Sequence, residues 1–175
     1  PSGRFGPVSW PGDKYTLITA GSGVTPILSM LRTAADRGIE LNATLIHVSP
    51  TETDLIAAQE IALLSRRLPQ LTYVPVTTRG PSASRPSAEL LNSLAPDLAD
   101  STVLCCGPQS FMEMVRAAAR DAGVPPERYG EESFDFSSPE AEITPAADTP
   151  MRSISFARTG KIFDCAETTT ILNAV

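Results

Sequence analysis

Short apolar runs alternate along most of the chain with segments whose apolar positions recur every three to four residues. The runs "KYTLITA" (14–20), "LNATLIHV" (41–48), "LTYVPVTT" (71–78) and "STVLCC" (101–106) are β-branched or otherwise apolar and predict strands. Between them the pattern predicts a helix over 25–37, with Ile27, Leu28, Met30 and Leu31 on its apolar face and a stop at Gly38. A second helix is predicted from Asp54 to Arg67, ending before Pro69, and a third over "SAELLNSLA", with Ser87 as N-cap and Pro96 beyond its end. A fourth runs from Gln109 to Asp121 and stops at Gly123, ahead of Pro125 and Pro126. Near-continuous apolar strands separated by helices imply a parallel sheet covered on both faces. "RYGEESFDF" (128–136) adds a short fifth strand or an extended tail.

The pattern changes at Ser137. "SSPEAEITPAADTP" (137–150) carries three prolines without any period, as a linker does. After it, "RSISFARTGKIFDCAETTTILNAV" alternates, turns at Thr159-Gly160 and alternates again, which predicts a hairpin and the start of a helix at Thr169 or Thr170. An isolated hairpin is marginal in water, so this stretch is expected to dock on something or to belong to a further domain.

Composition narrows the function classes. The 175 residues are 42% hydrophobic, enough for a proper core, and the formal charge of -6 argues against a nucleic-acid or anionic-membrane partner. No apolar run approaches the length of a membrane helix and no signal peptide opens the chain, so a cytoplasmic protein is expected. Cys105, Cys106 and Cys165 form neither a CxxC pair nor a zinc spacing; the expectation is a reducing compartment and no metal site.

Three short stretches carry candidate chemistry. In "LITAGSGVTPILSMLR" (17–32) the glycines at 21 and 23 let the chain turn sharply at a strand end and let a pyrophosphate approach main-chain N–H groups. The third glycine of a dinucleotide fingerprint is missing; Thr25 is expected to cap the helix and Pro26 to start it. The acidic residue that ordinarily ends the second strand is missing too, since that strand closes His47-Val48-Ser49-Pro50 with Glu52 in the loop beyond. In "LCCGPQSFMEMV" (104–115) a second turn, Gly107-Pro108, opens another helix, so two helix N-termini are expected to face one crevice. Cys106 there suits either contact with a planar ring or plain burial. The third stretch is "EESF" (131–134), an acid beside an aromatic.

These stretches, in this order and spacing, resemble the pyridine-nucleotide domain of the ferredoxin–NADP reductase superfamily over residues 14–136. The resemblance implies an α/β, doubly wound, five-stranded parallel sheet of order 3-2-1-4-5. It implies an oxidoreductase in which Gly21, Gly23, Thr25 and Pro26 cradle the pyrophosphate of NADH or NADPH, and Cys106, Gly107 and Pro108 hold the nicotinamide. By the same resemblance Cys106 and Glu132 stand at the reacting ring, and Phe134 closes the site as the second member of an E-x-F element. "PSGRF" (1–5) looks like the last strand of that family's flavin barrel, and "ISFARTGK…TTTILNAV" resembles the opening of a plant-type [2Fe–2S] ferredoxin domain. The implied organisation is a barrel tail over 1–12, the nucleotide domain over 13–136, a linker over 137–150 and a ferredoxin fragment over 151–175. FAD and [2Fe–2S] are then expected only in a full-length flavoprotein, whose flavin and ferredoxin domains pass electrons to an oxygenase or similar acceptor. The fragment alone is not expected to turn over.

Coenzyme choice stays open at this level. Thr78-Arg79 resembles the family's pair that receives the 2′-phosphate of NADP, whereas Glu52 and Pro50 lean slightly to NADH. A non-catalytic NAD(H)-binding or interaction module is the alternative function. His47, Arg66, Arg67 and Cys165 receive no functional role: a structural histidine, a solvated helix end and a packing cysteine.

Overall fold

In the computed structural model, which describes residues 12–81, 83–134 and 149–169, the chain divides into one unit ending at Phe134 and a second beginning at Asp135. In the first unit, strand β1 (Tyr15–Ala20) leads through a 3-10 turn over Gly21–Gly23 into helix α1 (Val24–Arg37). Strand β2 (Ala43–Ser49), helix α2 (Ala58–Arg67), strand β3 (Leu71–Thr77) and helix α3 (Ala88–Leu94) follow. Strand β4 (Thr102–Cys106), helix α4 (Gln109–Asp121) and strand β5 (Tyr129–Glu132) complete the unit. All five strands are parallel, in the order β3-β2-β1-β4-β5. The doubly wound arrangement expected from the sequence is the one observed.

Side-chain alternation along the strands divides the core in two. Leu17, Leu45 and Leu104 face α1 and α2, where they meet Ile27, Leu31 and Ile61. Ile18, Ile46, Val103 and Cys105 face α3 and α4 and meet Leu91, Met112 and Val115. Such side chains contribute ~1.5–3 kcal/mol each when fully buried. Gly38 ends α1 with φ 63°, and the Ser87 hydroxyl caps α3 by accepting from the Leu90 N–H at 3.2 Å, both as predicted.

Several boundaries differ from expectation. Helix α2 begins at Ala58, not at Asp54, because Thr51 and Asp54 exchange capping hydrogen bonds around a separate 3-10 turn over Glu52–Asp54, and Ala57 then takes a left-handed φ of 56°. Strand β2 starts at Ala43, two residues later than expected, and β5 is confined to 129–132. Arg67 is the solvated helix end expected, and it also donates to the Ala35 carbonyl and to Asp36, tying α2 to the end of α1. On the same two helices Arg32 makes a bidentate pair with Glu60. Pro75 lies in β3, an edge strand, where a missing ladder donor is tolerated.

The second unit is an antiparallel hairpin, strands β6 (Met151–Ser155) and β7 (Ile162–Ala166), with Phe156 and Phe163 edge to face at 5.9 Å. Its connecting turn spans 157–159, followed by Gly160 at φ 67°. Cys165 is buried in it. The barrel tail over 1–5, nearly all of the 137–150 linker and a helix starting at Thr170 lie outside the described residues. Among the described residues no helix is long and apolar enough to cross a membrane.

His47 is completely buried on β2, with Nδ1 3.2 Å from the Tyr73 hydroxyl and Nε2 without a hydrogen-bond partner. Burial lowers its pKa to about 4. The unfolded chain therefore binds a proton at this site through the interval from 6.5 to 4 while the folded chain does not, and stability falls as pH drops through that interval. The expected loss is ~3 kcal/mol at the acid end. Urea unfolding across this range should show a flatter pH dependence in His47→Asn than in the unsubstituted chain; parallel slopes would remove His47 as the cause.

Candidate functional site: two interlocked turns at the sheet's switch point

Strand order reverses between β1 and β4, whose carboxyl ends lie side by side with Thr19 opposite Cys106. Open α/β sheets bind ligands outside the carboxyl ends of the strands at such a point. Here the two turns leaving the strands are fitted into each other. Gly23 has an ordinary helical φ of -60°, so conformational freedom is not why it is glycine. A Cβ at position 23 would overlap the carbonyl group of Cys106 and crowd the Gly107 nitrogen. A Cβ at Gly107 would lie 2.9 Å from the Phe111 ring and 3.1 Å from the Ala20 Cβ. Gly21 differs from both: its φ is +54°, and among the described residues nothing stands within 4 Å of where its Cβ would be. That glycine serves the turn, and the space above it is open.

Helices α1 and α4 begin at these turns. Neither has an acidic side chain in its first turn, whereas α2 has Glu60 and α3 has Glu89. The first turns of the two central helices thus carry no compensating acid, which favours holding an anion there. Thr25 does not cap α1 as expected. The helix begins one residue earlier, at Val24, and the Thr25 hydroxyl donates to the Ser22 carbonyl at 2.9 Å, bracing the turn. Pro26 becomes the third helical residue, still within the turn where its missing N–H matters little. Pro108 occupies the flanking position before α4 and is exposed.

Register extends the site to β5. Cys106 pairs with Glu132 and Cys105 with Glu131. Cys106 is fully buried; burial first and the Glu132 charge second push its thiol up to about 11. It remains a neutral thiol near pH 7, packed beneath the turns and not presented as a nucleophile. Glu132 is partly buried, and Phe134, two residues on, is 44% exposed.

Thr78 and Arg79 follow β3, two strands away from the turns, and both are exposed. Their backbone N–H groups donate to the carbonyls of Ser49 at 3.0 Å and Pro50 at 2.8 Å, so the loops after β2 and β3 are stitched together. A groove of about 390 Å³ follows the free edge of β3, lined by Glu52, Leu55, Pro75, Thr77, Ser84 and Leu90 among others. Neither Thr78 nor Arg79 lines it. From this groove past the glycine turns to Glu132 the site crosses four inter-strand steps, ~19 Å in all. The expected residues are therefore strung along one edge of the sheet, as an elongated ligand requires. Leu55 and Ser84 join them without having been legible as motifs, because a lone leucine and serine between prolines carry no periodic or spacing signal.

Replacing Gly23 by alanine tests the interlock. The added methyl meets backbone, which cannot swing aside, and should destabilise the chain by ~1–3 kcal/mol and lower nucleotide affinity with it. Gly21→Ala carries only the left-handed backbone penalty of ~1–2 kcal/mol. Equilibrium unfolding of both variants with nucleotide titration alongside checks this; unchanged affinity in Gly23→Ala would detach the interlock from binding.

Comparison with known proteins agrees with this geometry. The sequence profile described as "Oxidoreductase NAD-binding domain" matches residues 17–117, from within β1 into α4. The chain is 34% identical to the stachydrine N-demethylase reductase subunit Stc4 of Rhizobium meliloti, over 99% of this chain and 52% of that protein. It is 28% identical to the glycine betaine monooxygenase reductase subunit of Chromohalobacter salexigens, over 90% of this chain and 46% of that one. The chain thus spans about half the length of these curated relatives. Among solved structures, a ferredoxin–NADP+ reductase from Neisseria gonorrhoeae with bound FAD and NADP superposes with a TM-score of 0.57 at 26% identity, covering 70% of this chain and 56% of that one. With the profile covering more than half of its length, the chain belongs to the oxidoreductase NAD-binding domain family.

Proposed function

We propose that this chain is the coenzyme-binding part of a flavoprotein reductase that draws electrons from NADH and delivers them to an oxygenase or a similar acceptor. The observation that carries the reading is the fit of Gly23 against the Cys106 carbonyl, which brings two acid-free helix N-termini together at the switch point. Its relatives are reductase subunits of a demethylase and of monooxygenases, and those names support the acceptor class. On this reading residues 1–12 end a flavin barrel, 13–136 form the nucleotide domain, 137–150 link, and 151–175 begin a ferredoxin domain.

Each group on the sheet edge has a task of its own. The Gly21-Ser22-Gly23 turn, braced by Thr25 and Pro26, presents the N-terminus of α1 to the coenzyme pyrophosphate. Gly107 and Pro108 open α4 beside it, and at Gly107 no side chain stands between the nicotinamide and the turn. Cys106 supplies a neutral, poorly hydrated wall, Glu132 orients the carboxamide end of the ring, and Phe134 covers the ring against water. When bound, the coenzyme supplies an electron pair, which FAD and [2Fe–2S] in the longer polypeptide pass on singly. The chain's contribution is to bind, orient and exclude water.

Glu52 decides the coenzyme. It lines the groove beside Thr77 and Ser84, where a carboxylate accepts from a ribose diol and repels a 2′-phosphate, while Arg79 stands outside that lining. Calorimetric titration with NADH and NADPH should show NADH binding about fivefold tighter, the weight of one like-charge repulsion of ~1 kcal/mol in water. Glu52→Gln should erase the difference. Tighter binding of NADPH, lost in Arg79→Ala, would make Arg79 the phosphate ligand and reverse the assignment; binding of neither coenzyme would overturn the functional reading.

A further inference from the structure

Strand β5 is the weakest element around the site by its main-chain bonding. It is four residues long and lies at the edge of the sheet, with β4 as its neighbour on one side. Yet it carries Glu132 into register with Cys106 and leads directly to Phe134. Something other than the ladder has to fix its height along β4, because a slip by one residue would send Glu132 to the opposite face.

A cluster of side chains on the α4 face supplies that constraint. The Glu131 carboxylate, with its side chain only 19% exposed, accepts from Arg116 twice: from Nε at 3.0 Å and from Nη2 at 2.5 Å. The Tyr129 hydroxyl donates to the same carboxylate at 2.5 Å. Beneath them Cys105 is fully buried; desolvation, then the Glu131 charge, raises its thiol pKa. Two parallel N–H···O bonds to one carboxylate fix orientation as well as distance, which a single ion pair does not. Arg116 stands seven residues into the helix that starts at the Gly107-Pro108 turn. One rigid helix therefore holds the turn at its N-terminus and grips β5 two turns later.

We infer that Arg116, Glu131 and Tyr129 form a clamp between α4 and β5 that positions Glu132 beside Cys106 and so completes the nicotinamide end of the site in this chain. The inference rests on the coenzyme-binding reading above. Arg116 and Glu131 are positioning residues: Glu131 points to the face opposite Glu132 and acts on the ring only through the placement of its neighbour. Because Thr78, Glu52 and the groove lie at the other end of the sheet, the clamp governs the nicotinamide half of the ligand and leaves the adenosine half alone.

The test separates the two halves in the 175-residue chain. ADP-ribose affinity, read by calorimetry, reports the adenosine and pyrophosphate subsites; the change in nicotinamide emission on binding NADH reports the ring. In Arg116→Gln and Glu131→Gln, ADP-ribose affinity is expected to stay within about twofold of the unsubstituted chain. The emission change is expected to be lost, and partly restored in Arg116→Lys, whose single charge replaces the fork imperfectly. An emission change that survives in both glutamine variants overturns the clamp, as does an unsubstituted chain that binds ADP-ribose without any emission change. Loss of both signals together with a lowered unfolding midpoint assigns the cluster to folding alone and overturns the positioning role. Failure of the unsubstituted chain to bind either ligand overturns the coenzyme-binding reading itself.

Discussion

The site depends on the absence of two Cβ atoms. At Gly23 and Gly107 the chain needs no unusual dihedral; it needs room, because the turn after β1 and the turn after β4 occupy each other's space. At Gly23 the contact is backbone against backbone, the least adjustable a protein can make, whereas at Gly107 the nearest groups are the Phe111 ring and the Ala20 Cβ. Gly21 is the contrasting case, where a left-handed φ explains the residue and the space above is free. The missing third glycine of the dinucleotide fingerprint finds its explanation here. Close packing, the usual reason for a later glycine, has already been secured by Gly23 together with the glycine of the other turn.

Around that contact charge is sparse, with Glu132 on the neighbouring strand as the exception. The central helices start without acids, Cys106 is held as a neutral thiol, and the buried His47 is kept uncharged near neutral pH. Charged groups are instead placed where they fasten elements: Arg32 to Glu60 and Arg67 to Asp36 between α1 and α2, Arg116 to Glu131 between α4 and β5. The exposed pairs add little stability individually. Their arrangement leaves the crevice between β1 and β4 as the place where a ligand anion meets the least competition.

Much of this was legible in the sequence, for identifiable reasons. Four strands and four helices follow from periodicity, and Ser87, Gly38 and Gly123 act where their local chemistry says they should. The two glycine turns and the E-x-F element were visible as motifs because each is contiguous. What escaped were one local competition between turns and several interactions between residues far apart in the chain. The start of α2 was displaced by the reciprocal bonds of Thr51 and Asp54, a competition between two nearby caps that periodicity does not rank. Arg67 found the end of α1, thirty-two residues away from Ala35, and Arg116 found a carboxylate fifteen residues on. In "EESF" the two acids look alike; only the alternation of β5 sends Glu131 to Arg116 and leaves Glu132 toward Cys106.

Pro75 has a consequence outside the binding site. An open parallel sheet exposes two flanks of unpaired main-chain groups, and each is a template on which a foreign strand can grow. Here one flank is interrupted by an imide nitrogen that cannot donate, and the other is four residues long with Glu131 already bonded to Arg116 of α4. A foreign strand meeting either flank among the described residues finds at most four consecutive residues to pair with before the ladder is interrupted or ends. Growth by strand addition is thus cut short at both sides of the sheet.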